Sequence, residues 1–201
     1  MKTRDEGVPA EKKILSAAKG VFVKKGLKNA AMADIAAEAG ISRTSLNYYF
    51  RTKEKLFDAV FKEILAEFLP KVGGILGMKI PFKKKIFMII DAHCDVLLKN
   101  AGLPVFVIMQ LNSTPKKFMA SLRESLAKNA AVAELVAQLK KEYGLLENEF
   151  VRLFSLYSGL MIMPFLIRDV LTPMWKGGFE DFILSRKKMV ASAIINFLEN
   201  R

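Results

Sequence analysis

The sequence predicts an all-α chain: a small basic head of three helices, a connecting fourth, and a larger apolar helical body. Three observations lead there. Apolar residues recur at helical spacing along most of the 201 residues, and no segment alternates as a strand. Hydrophobic residues make up 52% of the chain and the mean hydropathy is +0.21, enough for a sizeable core. Charge is placed unevenly. Residues 1–55 hold twelve Lys and Arg against six Asp and Glu, half of the whole +12 excess in about a quarter of the chain.

Taken in order, residues 1–9 read as a flexible basic arm containing Lys2 and Arg4. The next run, "PAEKKILSAAKGVFVKKG", puts Ile14, Ala17, Ala18, Val21 and Phe22 on one helix face with lysines opposite, and Gly26 is its expected stop. "AAMADIAAEAG" is a short second helix ended by Gly40. Ser42 is a good N-cap for a third, "RTSLNYYF". A fourth starts near Thr52 and is expected to end at Pro70. The glycines of "KVGGILGMKIPF" then predict a flexible connection. Beyond it, helices are expected at about 82–99, 104–111, 115–143, 147–171 and 178–199.

The second and third segments have the form of a helix-turn-helix. Ala36 is small where the backbones must approach, and Gly40 supplies a left-handed residue at the turn. Ile35, Ala39, Ile41 and Leu46 make the small core between the two helices. That leaves Arg43, Thr44, Ser45, Asn47 and Tyr48 facing outward, where such groups can reach base edges in a major groove. A pI near 9.8 agrees with an anionic partner.

The stretch from Ala10 to Phe61, with "IAAEAGIS", the aromatic pair before Phe50 and "KEKLF" in register, resembles the head of the tetracycline-repressor (TetR) family of bacterial transcriptional regulators. The resemblance implies a helix-turn-helix DNA-binding domain over 10–55 and a ligand-binding and dimerisation domain over 56–201. It implies a cytoplasmic homodimer, most simply a repressor, that binds a palindromic double-stranded DNA operator and is released or altered by a small, mainly hydrophobic effector. No cofactor is implied.

By the same resemblance, residues 43–49 form the recognition helix. Arg43 is the candidate for bidentate guanine contact, with a phosphate contact as the alternative. Thr44, Ser45 and Asn47 are candidates for base or phosphate contacts, Tyr48 and Tyr49 for a phosphate bond through a hydroxyl, and Lys53 for a phosphate at a helix N-terminus. Two positions depart from the family pattern. Ala31 stands where a capping threonine is common, with Asn29 as a substitute if the start shifts, and Ala33 stands where a polar side chain often meets DNA.

In the body, flexible methionines and flat aromatics suit an adaptable apolar pocket. The candidates are Phe87, Met88, Phe106, Met109, Phe118, Met119, Tyr157 and Met161. The last two helices are amphipathic. In the family such helices form a four-helix bundle across a two-fold axis, which points to Ser155, Ser158, Gly159, Ala191, Ile194, Phe197 and Leu198 as interface residues. Dimerisation has a physical motive, since two half-sites add their energies. The fourth helix, shared by head and body, is the expected route of coupling.

Other classes fit less well. One His, one Cys and no phosphate loop or nucleophile motif argue against an enzyme. His93 lies near Asp91 and Asp95, too few ligands for a metal site; a polar ligand handle or ordinary helix packing are the other readings. Lone Cys94 fits a small buried hydrophobe in a reducing compartment. The uncharged apolar stretch from Leu153 to Ile167 has 15 residues against the roughly 20 of a bilayer span. A basic amphipathic membrane-surface protein, and a DNA-binding dimer without an effector, are the alternatives.

Overall fold

The computed structural model describes residues 9–113, 116, 120, 124 and 129–200. Every regular element among them is helical. The chain divides into two compact units, one up to Leu65 and one from Ala66 onward. That division falls about ten residues later than the boundary after residue 55 predicted from sequence.

In the first unit, α1 (Ala10–Asn29), α2 (Met32–Glu38) and α3 (Arg43–Tyr49) are followed by the start of α4 (Lys53–Leu76). Its core is Ile14, Ala18, Val21 and Phe22 of α1 with Ile35, Leu46, Phe50, Leu56, Phe57 and Val60, all buried. Phe22 and Phe57 meet with ring centroids 5.4 Å apart. Burial of each large side chain contributes about 1.5–3 kcal/mol, so this small set carries the head. α1 continues past Gly26 to Asn29, one turn beyond the predicted stop.

The second unit continues α4 and adds α5 (Phe82–Lys99), α6 (Leu103–Ser113), α7 (Ala130–Tyr143), α8 (Glu147–Leu166) and α9 (Arg168–Leu171). A 3-10 turn (Thr172–Met174), α10 (Gly178–Ser185) and α11 (Lys187–Glu199) complete it. α11 packs on α5 and α8, and α6 packs on α8. Their shared core includes Leu76, Ile90, Leu97, Met161, Phe165, Ala191 and Leu198.

The predicted end of α4 at Pro70 is corrected. A proline inside a helix costs about 3 kcal/mol, yet α4 runs on to Leu76. Val72, Ile75 and Leu76 are buried in the body core, and together they more than offset that cost. Nor is the glycine-rich stretch a flexible linker as far as Leu76. A Cβ on Gly73 would lie 3.3 Å from that of Ala131, so this glycine lets α4 and α7 approach closely. Buried Lys85 then closes the helix end: its Nζ donates to the Leu76 carbonyl at 2.6 Å and to Gln138 Oε1 at 3.1 Å.

Three further long helices predicted from sequence are interrupted. Residue 129 is extended and caps α7, its side chain accepting from the Ala131 N–H at 2.9 Å, so no single helix spans 115–143. The 147–171 pattern breaks at Ile167 and the 178–199 pattern at Arg186. The two breaks have a common element. Pro164 has no N–H to give the Leu160 carbonyl, and Arg186 Nη1 donates to that oxygen instead, at 3.2 Å. Beside these breaks, the single tryptophan, Trp175, donates its indole N–H to Asp181 Oδ2 at 2.7 Å and packs against Phe182.

Candidate functional site

Two arrangements stand out, one in each unit. In the head, α2 ends in a Schellman motif: the Gly40 N–H donates to the Ala37 carbonyl at 3.1 Å and the Ile41 N–H to that of Ala36 at 3.0 Å. Gly40 has φ +66°, the left-handed value its position was expected to need. Ser42 then caps α3, accepting from the Ser45 N–H at 3.0 Å. Ile35, Ala36 and Leu46 are buried beneath the turn, while Ala39 and Ile41 are half-buried.

This geometry leaves Arg43, Thr44, Ser45, Asn47, Tyr48 and Tyr49 exposed on α3. Tyr48 is 86% exposed and meets Tyr49 edge-on. The Ser45 hydroxyl is already engaged with that of Ser42 at 2.9 Å, which ties it to the cap. Lys53 is half-buried, and its Nζ donates to the Ala30 carbonyl at 3.0 Å, pinning the start of α4 to the α1–α2 corner. The first turn of α4 is capped by Thr52, whose Oγ1 accepts from the Lys55 N–H at 3.2 Å.

Ala31 is the N-cap of α2, so the start does not shift to Asn29. Asp34 supplies the half of a capping box that alanine leaves possible, accepting from the Ala31 N–H at 3.1 Å. Lys25, 3.0 Å away, and the Ala31 N–H hold its carboxyl below the usual range. Ala33 is exposed and offers no polar group. Lys2 and Arg4 lie outside the described residues.

In the body, α4, α5, α7, α8 and α11 line a half-open cavity of about 350 Å³. α4 gives Phe68, Leu69 and Val72; α5 gives Phe82, Ile86, Ile89, Ile90 and His93. Val132, Leu135, Val136 and Leu139 come from α7; Phe150, Leu153, Phe154 and Tyr157 from α8; Ile194 and Leu198 from α11. The described lining is apolar apart from one pair: His93 Nδ1 lies 2.5 Å from the Tyr157 hydroxyl, and the His93 ring stacks on Tyr157 and meets Phe68 at a tilt. Burial pulls the imidazole pKa down to about 4 and pushes the phenol well above its ordinary value.

Of the predicted pocket residues, Tyr157 lines this cavity. Phe87 and Met88 do not; they are exposed on the opposite face of α5. Met161 is buried in the core but is not part of the lining. Phe106 and Met109 lie on α6, and their side chains are outside the described set, as are residues Phe118 and Met119 altogether. The signal that finds the true lining is helical spacing: Phe82, Ile86, Ile89, Ile90 and His93 recur on one stripe of α5. Composition hid this, because it counts aromatics without regard to face.

Asp91 and Asp95 both pair with Lys187, and no metal-ligating cluster occurs among the described residues. Cys94 is buried, which pushes its thiol up to about 11.

Three of the predicted interface residues need correction. Ala191, Ile194 and Leu198 are buried within the single chain, so they have no area left to offer a partner. Phe197 and Ser158 are half-buried, and Ser155 and Gly159 are exposed. α8 instead carries an outer apolar stripe of Val151, Met163 and Leu166 around those small residues. By length and composition α8 is also the one helix among the described residues that could cross a membrane. Here its inner face builds the cavity and packs on α6 and α11.

The head has the architecture of a helix-turn-helix protein, with a polar, exposed second helix. Residues 14–60, the head, match the family model of bacterial regulatory proteins, tetR family. The fatty acid metabolism regulator protein of Bacillus subtilis (strain 168) is 24% identical over 118 residues, 59% of this chain and 61% of that protein. The HTH-type transcriptional regulator RutR of Escherichia coli (strain K12) is 46% identical over 63 residues, 31% of this chain and 30% of its own length. The chain thus spans about three fifths of the first relative and under a third of the second. The structure of the transcriptional regulator FadR from Bacillus subtilis in complex with stearoyl-CoA superposes with a TM-score of 0.70 at 16% identity, covering 92% of this chain and 98% of that one. The fatty acid degradation regulator FadR from Bacillus halodurans gives 0.67 at 16% identity, covering 93% and 97%. At these identities the fold is what is shared.

Proposed function

We propose that this protein is a dimeric, ligand-responsive transcriptional regulator, a repressor in its simplest form, that binds a palindromic DNA operator and is released or altered by a small apolar effector. The observation that carries the reading is the α3 face: a capped helix, fixed by Gly40, Ser42 and Leu46, with Arg43, Thr44, Asn47 and Tyr48 directed outward. Arg43 reads a base, and Tyr48 and Tyr49 anchor phosphates. Ser45 and Lys53, each with a hydrogen bond already made inside the head, act mainly by holding the face in place.

The cavity supports the effector part of the reading, and the stearoyl-CoA complex of the Bacillus subtilis FadR shows that a protein of this fold takes a ligand with a long apolar chain. α4 contributes Lys53 to the head and Phe68, Leu69 and Val72 to the cavity lining, so a ligand that prefers another position of α4 would couple to the head. It can shift that equilibrium only by its differential affinity for the two states, typically about 1–3 kcal/mol. The outer face of α8 is the proposed contact between two copies. Val151→Glu should convert the dimer to monomer in sedimentation, and an unchanged sedimentation coefficient would remove α8 from the interface.

The direct test is fluorescence anisotropy on duplex DNA from upstream of the protein's own gene, with excess non-specific competitor. Saturable binding of two chains per duplex is expected. A protein that competitor strips from every duplex tried would overturn the operator reading.

A further inference from the structure

The cavity's only polar groups among its described lining residues are His93 and Tyr157. No Lys, Arg, Asp or Glu is among them. A ligand carrying a carboxylate, phosphate or ammonium down to this pair would leave its charge without a partner in apolar surroundings, a cost of several kcal/mol. A purely hydrocarbon ligand would leave the polar pair unanswered. The occupant that fits is intermediate in character.

The pair itself says what kind. A neutral imidazole has one N–H and one bare nitrogen, and a phenol has one O–H. One hydrogen is used between Nδ1 and the hydroxyl. If Tyr157 donates it, Nε2–H remains as a donor and the phenol oxygen as an acceptor. If His93 donates it, Nε2 remains as an acceptor and the phenol O–H as a donor. Either tautomer presents one donor and one acceptor, and Nε2 has no partner among the described residues. Stacking on Tyr157 and a tilted contact with Phe68, with centroids 5.6 and 5.0 Å away, fix the ring's plane, so the pair is a preset reader of a single group.

We propose that the cavity takes an uncharged, mainly aliphatic molecule with one hydroxyl or carbonyl group, which the His93–Tyr157 pair binds while the hydrocarbon fills the apolar walls. The inference rests on the cavity's being the effector site. It differs from a simple preference for apolar compounds in requiring discrimination by the head group.

The test is displacement of the neutral dye Nile red from the full-length protein at pH 7.5 by 1-decanol, 2-decanone, decanoate and decylammonium. Decanol and decanone should displace at concentrations about tenfold or more below the two ions. Tyr157→Phe keeps the ring and His93→Phe keeps the stack. Each should weaken decanol by about tenfold, with thermal melts confirming that both variants fold. Ions that compete as well as decanol, a decanol affinity untouched in both variants, or no dye binding at all would each overturn the inference. Operator anisotropy with the same compounds separates the two readings. The expected head-group preference with no effect on DNA would remove the cavity as effector site, whereas release of DNA by the ions would leave the effector site and remove the inference.

Discussion

Arg186 donates to the carbonyl of Leu160, the oxygen that Pro164 leaves without its helical donor. The guanidinium lies over the Phe182 ring, 5.3 Å from its centroid, which holds it on course. One side chain thus closes a gap in α8 from the junction of α10 and α11. Arg186→Met should lower unfolding stability by about 1–3 kcal/mol, the cost of a part-buried carbonyl left unpaired. Pro164→Ala restores a backbone N–H to the same oxygen, so the Arg186→Met penalty should shrink in that background. Urea denaturation of the four-member cycle reads the coupling, and additive penalties would mean the two residues act independently.

The glycines of α4 make opposite predictions. Nothing lies within 4 Å of a Cβ built on Gly74, so Gly74→Ala should stabilise the helix by about 0.5–1 kcal/mol. At Gly73 the Ala131 methyl stands 3.3 Å away, and Gly73→Val should push α4 and α7 apart and lower the melting temperature. Equal effects at both positions in a thermal melt would argue against a packing role for Gly73.

His93 supplies a pH dependence with a definite sign. Burial lowers its pKa from 6.5 to about 4, so the folded protein refuses a proton that the unfolded chain accepts between those values. Stability from this group is therefore complete above pH 6.5 and declines as pH falls, by about 1 kcal/mol at pH 5.5 and about 3 kcal/mol by pH 4. Tyr157 and Phe68 face the ring; Asp91 and Asp95, its charged neighbours along α5, pair with Lys187. Other carboxylates titrate in the same range, so the quantity to measure is the difference between the native protein and His93→Phe. Parallel stability curves for the two would contradict the buried, neutral imidazole.

On DNA, Arg43→Ala should weaken operator binding by about 1–3 kcal/mol while barely changing affinity for random duplex. Equal losses on both would make Arg43 a phosphate contact. Tyr48→Phe should weaken both alike, because a phosphate bond carries no sequence information. Anisotropy titrations on matched operator and scrambled duplexes distinguish the cases.

The head was legible because its residues do local work. Gly40 answers a backbone angle, Ser42 an orphan amide and Leu46 a neighbouring helix three turns away at most. The body resisted reading because distant partners overrule local signals there. Pro70 looks like a stop until the burial of Val72, Ile75 and Leu76 is counted, and Gly73 looks like a hinge until Ala131 is seen beside it. The break at Arg186 depends on Leu160, 26 positions earlier. Interface residues suffered similarly: apolar Ala191 and Leu198 satisfy the pattern for a contact surface, but the chain's own core claims them.

The lone tryptophan has a practical consequence. Trp175 is held by Asp181 and Phe182, all within the second unit, while the first unit carries Tyr48 and Tyr49 but no indole. Tryptophan emission during denaturation therefore reports the body alone, whereas far-ultraviolet circular dichroism follows the helices of both units. A head that melts early would be silent in fluorescence and visible as a first step in ellipticity, so the two optical signals together can time the loss of each unit separately.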